Sequence, residues 1–297
     1  MNPRERGFLL LCSHLGDPNR RPLTPAQLRS LTGAMRNAET PVHDRELEEA
    51  DLIRLGLGRD LARRIMHLLD EEAVLDYYLK KGEKLECVPV SRVSDQYPLI
   101  LRKRLGADSP GVLWAKGDPC LLSTPTVSLV GSRELSDRNR EFAAEVGRQA
   151  ALQGYTLVSG NARGADKTAQ RACLDAGGAV IAVVADSLES HSAKENVLYL
   201  SEDSFDEDFS AQRALSRNRV IHGMGLKTFV AQSTLKAGGT WDGTVKNLRF
   251  GWSPVFCFDD GSEAATRLEQ MGASLVGMKD LQSIYDLQEM TENIFDR

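Results

Sequence analysis

Paired cysteines, long apolar runs and clustered histidines are all missing from this sequence. The 297 residues include only five scattered cysteines, without a CxxC pair, and five histidines without ligand spacing. Neither a disulfide framework nor a metal site is therefore expected. No apolar run approaches the roughly 18 residues that span a membrane, and the polar N-terminus does not resemble a signal peptide. We expect a cytoplasmic protein without a membrane partner.

The sequence also lacks the excess of positive charge that is typical of proteins that coat nucleic acid. Lys and Arg total 37 against 42 Asp and Glu, which gives a net charge of −5 and counts against binding by bulk charge. The acids are uneven: residues 202–208 contain five, and residues 261–297 contain seven against three basic residues. A local basic patch elsewhere remains compatible with this composition.

The chain divides into three parts by its pattern of apolar residues. Residues 1–82 are predicted to form a small helical domain, because apolar residues recur at helical spacing after Pro25, a favourable first-turn residue. Residues 83–278 are predicted to form a larger domain. Residues 279–297 are predicted to be an acidic tail, either an amphipathic helix or a disordered end.

The larger domain begins with a proline-rich connection over residues 83–125, with one short strand near 112–115, and then alternates between strands and helices. The predicted strands are 127–130, 155–158, 179–185, 197–200, 228–231, 255–258 and 273–276. The predicted helices are 137–153, 165–175, 211–221, 243–250 and 263–271. This alternation favours an α/β fold, an extended Rossmann-like, doubly wound, mainly parallel sheet. Ligands of such sheets bind beyond the carboxyl ends of the strands, so the strand-to-helix turns are the predicted functional sites.

A short turn at Gly56 and Gly58 separates two predicted helices in the N-terminal domain. The backbone N–H groups of such a hairpin can bind a DNA phosphate, as in helix-hairpin-helix modules. The balance of 13 basic and 13 acidic residues in this domain favours instead a packing or partner-binding module. Both interpretations stay open at this point.

Two turns after predicted strands carry groups suited to phosphate. In the first, Gly131 lets the backbone approach a phosphate, Ser132 supplies a hydroxyl group and Arg133 supplies a charged guanidinium group. The second has glycines at both ends, an arginine inside and a helix behind it. Its predicted phosphate-binding residues are Ser159, Gly160, Arg163, Gly164, Asp166 and Lys167. We expect Asp166 to fix this turn, or Arg163, rather than to act as an acid.

Three further segments complete the set of predicted phosphate-binding turns. The first follows the strand predicted at 179–185. The second lies in an arginine-rich run, and the third opens the helix after the strand predicted at 228–231. Their candidate residues are Lys194, Asn196, Arg217, Asn218, Arg219, Gly238, Gly239 and Thr240.

Signatures of the common nucleotide enzymes and hydrolases are absent. The sequence contains no GxxxxGK[ST], no GxGxxG and no GxSxG, and its spacing suggests no Cys–His or Ser–His–Asp set. We therefore predict turns that bind phosphates without breaking bonds. No catalytic residue and no cofactor is assigned.

Taken in order, these turns resemble those of the DNA-processing DprA/Smf family, a Rossmann-like group related to the SLOG/LOG proteins. The motifs that carry the resemblance are GSR at 131–133, SGNARGAD at 159–166, SAKEN at 192–196, ALSRNR at 214–219 and GGT at 238–240. An upstream SDQYP and LWAKGD, at residues 94–98 and 113–118, also resemble the family, as does a SAM-like helical start with LGR at residues 57–59.

The resemblance implies a non-catalytic protein that binds single-stranded DNA as a homodimer and hands that DNA to a RecA-type recombinase. It would protect incoming or processed strands, in natural transformation, recombination or genome defence. Carried over by motif, the residues contacting backbone phosphates would be Arg133, Arg163, Lys194, Arg217 and Arg219.

This chain departs from the family pattern at two aromatic positions. The Tyr-Pro expected before the lysine is Ser192-Ala193, and the Phe-Pro expected before the arginines is Ala214-Leu215. Base stacking on aromatic residues contributes about 1–3 kcal/mol per base to single-strand binding. We therefore expect a divergent member whose binding is more electrostatic and salt-sensitive.

Two other functions remain open. The fold is shared with LOG-type phosphoribohydrolases and SLOG nucleotide sensors, and Gly238 to Thr240 resembles their phosphate turn. The glutamate that follows this turn in the hydrolases is absent, with Trp241 and Asp242 in its place. A pure interaction module, using the helical domain and the acidic tail, is the third hypothesis.

Overall fold

The described residues are built around a nine-stranded sheet. The computed structural model describes residues 1–36, 47–202 and 204–289. The strands are β1 (Cys87–Ser91), β2 (Val112–Lys116), β3 (Thr126–Val130), β4 (Thr156–Ser159), β5 (Val180–Val184), β6 (Val197–Glu202), β7 (Thr228–Val230), β8 (Val255–Phe258) and β9 (Ser274–Val276). Their order is β1-β2-β6-β5-β4-β3-β7-β8-β9. The strands from β3 to β9 pair in parallel, while β1 pairs with β2, and β2 with β6, in antiparallel register.

Helices cover both faces of this sheet. The α-helices of the described residues are α1 (Pro3–Cys12), α2 (Pro25–Arg36), α3 (Glu49–Arg54), α4 (Arg59–Leu69), α5 (Glu72–Lys84), α6 (Leu99–Leu105), α7 (Asp137–Leu152), α8 (Ala165–Asp175), α9 (Ala211–Ser216), α10 (Asn218–Met224), α11 (Gly238–Phe250) and α12 (Glu263–Gln270). Helices α7 and α8 pack on one face, and α6, α10, α11 and α12 on the other. The predicted α/β, extended Rossmann-like fold class is thus confirmed. Within the described ranges, no helix has the length and apolar character needed to cross a bilayer.

Strand β5 shows why both faces need covering. Val180, Ala182 and Val184 point into the core beneath α7 and α8, whereas Ile181 and Val183 point into the core on the opposite side. All five residues are buried. A continuous apolar run of this kind is expected for a parallel strand that has helices on both faces.

The proline-rich connection predicted over residues 83–125 contributes more structure than the sequence indicates. It supplies strand β1 and helix α6 in addition to the predicted strand, which is β2. Pro89 lies inside β1 and has no N–H to donate. The strand tolerates it because β1 is at the edge of the sheet and pairs only with β2.

The helical character predicted for residues 1–82 is confirmed for the described part of this segment, outside residues 37–46. Pro25 begins α2, and Gly58 is the N-cap of α4 after the predicted turn. Helices α1 and α5 bury side chains, Leu75 and Tyr78 among them, in the same apolar core as the sheet. The division into domains at residue 82 stays a prediction.

Two predicted helices have different bounds in the structure. The single helix predicted over 211–221 is divided into α9 and α10, with Arg217 between them. Helix α11 begins at Gly238, five residues before its predicted start at residue 243. Glycine has a low helix propensity, but the first turn of a helix tolerates it, so the sequence pattern misses this start.

The tail predicted to begin at residue 279 is docked onto the sheet in its described part, residues 279–289. Asp280–Ser283 forms one 3-10 turn, and not the amphipathic helix that was one alternative. Leu281 and Ile284 are fully buried in the core, and Lys227 Nζ donates hydrogen bonds to the carbonyl oxygens of residues 284, 285 and 287. Residues 290–297 lie outside the described residues.

Candidate functional site

A large cavity lies at the carboxyl ends of β3 and β7, where the strand order reverses. The chain proceeds from β3 to β4 on one side, and β7 pairs with the other side of β3, so this is the switch point at which such sheets bind ligands. This main cavity has a volume of about 800 Å³, and a side cavity of about 330 Å³ adjoins it. Arg133, Ala162, Phe209 and Arg217 line both.

Eleven of the predicted phosphate-binding residues line these cavities. Those of the main cavity are Gly131, Ser132, Arg133, Asp166, Arg217, Asn218, Gly238, Gly239 and Thr240, and the side cavity adds Gly160 and Arg163. They come from four separate segments of the chain. The sheet brings these segments together because the carboxyl ends of its parallel strands meet at one edge.

The turns after β3 and β4 are packed directly on each other. The backbone N–H of Ala165 donates to the carbonyl oxygen of Ser132 at 3.1 Å. A Cβ atom on Gly131 would lie 2.5 Å from Cβ of Ala165, and one on Gly164 would lie 2.5 Å from the carbonyl oxygens of Ser132 and Arg133. Packing within the protein is thus sufficient to require both glycines, and their presence alone is no evidence for phosphate contact.

Arg217 is the buried cation of the site. Its side chain lies between α9 and α10, the residue is only 9% exposed, and Nη1 donates to the carbonyl oxygen of Val183. The guanidinium covers Gly160 so closely that no Cβ fits there. Its Nε has no hydrogen-bond partner within the described structure, although an unsatisfied buried donor costs about 1–3 kcal/mol. Arg217 lines both cavities, so its positive charge favours an anion bound there.

Asp166 is buried, with 7% of its surface exposed, and lines the main cavity together with Arg217. Its Oδ2 accepts a hydrogen bond from the backbone N–H of Ala162 at 3.1 Å, which holds the turn after β4, as predicted for it. Burial raises the pKa of Asp166 to about 6, although the charge of Arg217 and backbone hydrogen bonds oppose this rise. Burial likewise lowers the pKa of Arg217, and Asp166 opposes that change.

The N-terminus of α11 forms the wall opposite Arg217. A Cβ atom on Gly238 would meet nothing within 4 Å, so this glycine faces open space, unlike those of the two packed turns. The N-cap residue Ala237 offers no side-chain acceptor to the first turn. Asn218 Nδ2 donates to the carbonyl oxygen of Gly239 at 3.1 Å and thereby ties α10 to α11.

Six of the predicted residues lie outside both cavities as described: Ser159, Gly164, Lys167, Lys194, Asn196 and Arg219. Ser159 is buried at the end of β4, and its hydroxyl accepts a hydrogen bond from Gln170 Nε2 at 2.7 Å. Arg219 forms an ion pair with Glu202. Both side chains are therefore used inside the protein.

The two predicted lysines lie near each other at the surface. Burial lowers the pKa of Lys167, and the charge of Lys194 lowers it further. Both residues are exposed. Asn196 has a backbone role, since its carbonyl oxygen accepts a hydrogen bond from the N–H of Val180 at 2.8 Å.

Two cavity residues are not singled out by the sequence pattern. His222 Nδ1 accepts a hydrogen bond from Asn247 Nδ2 at 3.0 Å, and burial lowers the pKa of His222 to about 3, so the ring is neutral and carries its hydrogen on Nε2. Its spacing four residues after Asn218 on one helix face is a signal that could have identified it. Phe209 is 58% exposed and follows no periodic pattern.

Residues 89–288 match the protein family described as DNA recombination-mediator protein A, over about two thirds of the chain. The chain belongs to this family. DprA of Bacillus subtilis is 28% identical over 218 residues, which cover 68% of this chain and 71% of that protein. DprA of Streptococcus pneumoniae is 31% identical over 199 residues, which cover 63% of this chain and 70% of that protein. The predicted DprA/Smf resemblance is therefore confirmed.

Solved DprA structures share the fold. The X-ray structure of Streptococcus pneumoniae DprA has a TM-score of 0.72 at 25% identity and covers 97% of this chain and 100% of that chain. DprA from Helicobacter pylori, whose structure is described in terms of its single-stranded DNA binding mode, has a TM-score of 0.55 at 24% identity and covers 67% of this chain and 93% of that chain. The second likeness is one of fold alone.

Proposed function

We propose that this DprA-family chain binds single-stranded DNA and does not catalyse bond cleavage. The observation that carries the proposal is Arg217, a buried guanidinium that forms no ion pair within the described residues and lies in the wall shared by two adjoining cavities. A backbone phosphate supplies acceptor oxygens for a charge-assisted hydrogen bond. Two connected cavities suit successive nucleotides of a strand better than one free nucleotide.

The surrounding groups extend this anion site. Arg133 and Arg163 are exposed at the cavity walls, and Ser132 and Thr240 add hydroxyl groups. The exposed Lys167 and Lys194 lie beyond the side cavity and would meet phosphates further along the strand. Each neutralised phosphate releases a counterion, so affinity should fall with salt at a slope of about −0.7 per contact for single strands.

The wider role rests on the family resemblance. Homodimerisation, a cytoplasmic location, protection of incoming or processed strands and hand-off to a RecA-type recombinase are part of the proposal. The amount of recombinase bound to single-stranded DNA, measured with and without this protein, tests the hand-off. Gel filtration with light scattering tests the dimer.

A nucleotide sensor or phosphoribohydrolase is the alternative. The neutral His222 in the wall of the main cavity favours it, because Nε2–H is a donor suited to a base or a sugar. Catalysis receives less support, since Trp241 and Asp242 follow Thr240 in place of a glutamate, and the buried Asp166 is held by the backbone. A sensor would bind AMP-type nucleotides without turnover.

Fluorescence anisotropy with a labelled oligo-dT strand tests the main proposal. We expect binding that falls at least tenfold between 50 and 200 mM salt and a loss of about tenfold with Arg133→Glu. Arg171→Glu is the matched control: the same charge change at an exposed residue that is paired with Asp175 and lies outside both cavities. It should alter affinity by less than about threefold.

Equal losses of DNA affinity for Arg133→Glu and Arg171→Glu would contradict the proposed site. Displacement of the strand by AMP, or release of free base from AMP, would favour the alternative function.

A further inference from the structure

Phe209 is the aromatic side chain that lines both cavities. An exposed phenylalanine is ordinary by itself, and 58% exposure alone carries no inference. Its position is what distinguishes it, because it lies in the wall that the two cavities share. Within the described part of the chain, no other aromatic ring packs on it.

Two cations accompany Phe209 in the shared wall. Arg133 and Arg217 line the same two cavities, one exposed and one buried. A nucleotide in a single strand presents an anionic phosphate beside a flat apolar base. An aromatic ring that shares a cavity wall with two guanidinium groups is complementary to that combination.

The backbone on either side of Phe209 is fixed. Ser210 is the N-cap of α9, and its hydroxyl accepts a hydrogen bond from the N–H of Arg213 at 3.1 Å. Glu207, two residues before the phenylalanine, forms an ion pair with the side chain of Arg213. Anchoring on both sides limits the ordering cost when a ligand stacks on the ring.

We propose that a base of the bound strand stacks on Phe209 while neighbouring phosphates bind Arg133 and Arg217. The inference rests on the proposed single-stranded DNA function and goes further, because it assigns part of the affinity to the bases. Binding is then less purely electrostatic than the sequence predicts.

Anisotropy with two strands of equal length tests this assignment. One strand is oligo-dT, and the other carries the same phosphates but abasic sugars. Phe209→Ala should weaken oligo-dT binding by about tenfold, and should change abasic binding by less than about twofold. Phe209→Trp should keep the wild-type preference for the base-bearing strand, and neither variant should alter the salt slope by a full phosphate contact.

Phe250→Ala is the matched control. This phenylalanine is 60% exposed, stacks on Trp252 with ring centroids 5.6 Å apart and lies outside both cavities. It should leave both strands bound as in wild type. Thermal melts should show that all three variants fold, because both phenylalanine rings are largely exposed.

If Phe209→Ala weakens both strands equally, or behaves like Phe250→Ala, the stacking inference is wrong while salt-dependent wild-type binding still supports the proposed function. If Phe209→Trp loses the preference for bases, stacking is likewise wrong. If wild type binds neither strand, the proposed function and the stacking inference fail together.

Discussion

Basic residues are used in opposite ways at two neighbouring places in this protein. In the acidic segment, defined as Glu202 with residues 204–208, acids hold nearby cations: Arg219 pairs with Glu202, Arg213 with Glu207 and Lys81 with Asp206. At the cavity walls, Arg133 and Arg163 are exposed and have no ion pair within the described residues, and Arg217 donates to a backbone carbonyl oxygen rather than to a carboxylate. The cations of the acidic segment are paired with carboxylates, whereas Arg133 and Arg163 at the cavity walls stay available, and Lys246 of the main cavity is paired with Asp242.

This difference reconciles the net charge of −5 with an anion site. Acids engaged in internal ion pairs contribute little to the potential at the cavity, because each is largely neutralised by its partner and exposed charges are screened within about 10 Å. A count of charges over the chain therefore says little about the local potential. What matters is which cations already have partners.

The cavity walls and the acidic segment also differ in what stabilises them, since packed turns hold the cavity edge and ion pairs hold the acidic segment. Among the variants considered, Gly164→Ala should cause the largest loss of stability. Gly164 has φ +84° and ψ −124°, and a Cβ would strike the carbonyl oxygens of Ser132 and Arg133. Backbone strain and the collision together should lower the free energy of unfolding by about 3–4 kcal/mol, as measured by urea denaturation.

Two variants control this prediction. Gly238→Ala has a similar φ of +81° but open space around it, and should cost about 1 kcal/mol. Glu207→Gln removes an ion pair of the acidic segment that is partly exposed, and should cost less than about 1 kcal/mol. Equal losses from the two glycine variants would show that the packed turns are not what holds the cavity edge.

The contrast between Arg217 and Arg219 should be visible in DNA affinity. Arg217→Gln removes the buried donor of the cavity wall and should weaken oligo-dT binding about 50-fold, with a salt slope shallower by about 0.7. Arg219→Gln should change affinity by less than about threefold, but should lower stability because Glu202 loses its ion pair.

A double variant separates the two effects of Arg219. Glu202→Gln together with Arg219→Gln removes both charges and should recover much of the lost stability. If Arg219→Gln weakened DNA binding as much as Arg217→Gln, the division between available and neutralised cations would be wrong.

The sequence predicts the class of the fold and most of the cavity turns, because both follow from local pattern. The apolar run of β5 and the glycine turns after β3 and β4 can be recognised without tertiary information. Strand β1 could not be predicted, since Pro89 argues against a strand unless the residue lies at a sheet edge, and edges are set by strand order.

The sequence could not show which of the candidate phosphate-binding residues face the cavity, because tertiary contacts decide where each side chain lies. Arg217 and Arg219 are two residues apart in one motif, but only Arg217 lies in the cavity wall, whereas Arg219 meets Glu202. Phe209 carries no sequence signal, because the rest of the cavity lining around it comes from other segments of the chain. The role of Gly164 in packing likewise depends on the turn at Ser132 and Arg133, which is distant along the chain.

The smallest effect is expected from the pH response of two aspartates, one in each place. Burial raises the pKa of Asp166 to about 6 in the cavity wall. In the acidic segment burial also acts to raise the pKa of Asp206, but hydrogen bonds from Lys81, Ser204 and Tyr78 outweigh it, so that pKa is lowered. The pKa values of these two aspartates are thus shifted in opposite directions.

Asn substitutions at these positions should therefore change stability in different pH ranges. The pKa of Asp166 in the folded protein lies above the unfolded value near 3.9, so wild type loses stability relative to Asp166→Asn as pH rises through about 6. That relative loss should be about 2 kcal/mol between pH 4.5 and 7.5, measured by urea denaturation at both values. For Asp206→Asn the difference should be constant over this range and shrink only below about pH 4, where the unfolded chain binds a proton at this carboxylate more readily than the folded protein does. A pH-independent difference for Asp166→Asn would mean that its carboxylate is solvated in the folded protein, and the contrast between a desolvated cavity wall and a paired acidic segment would then be lost.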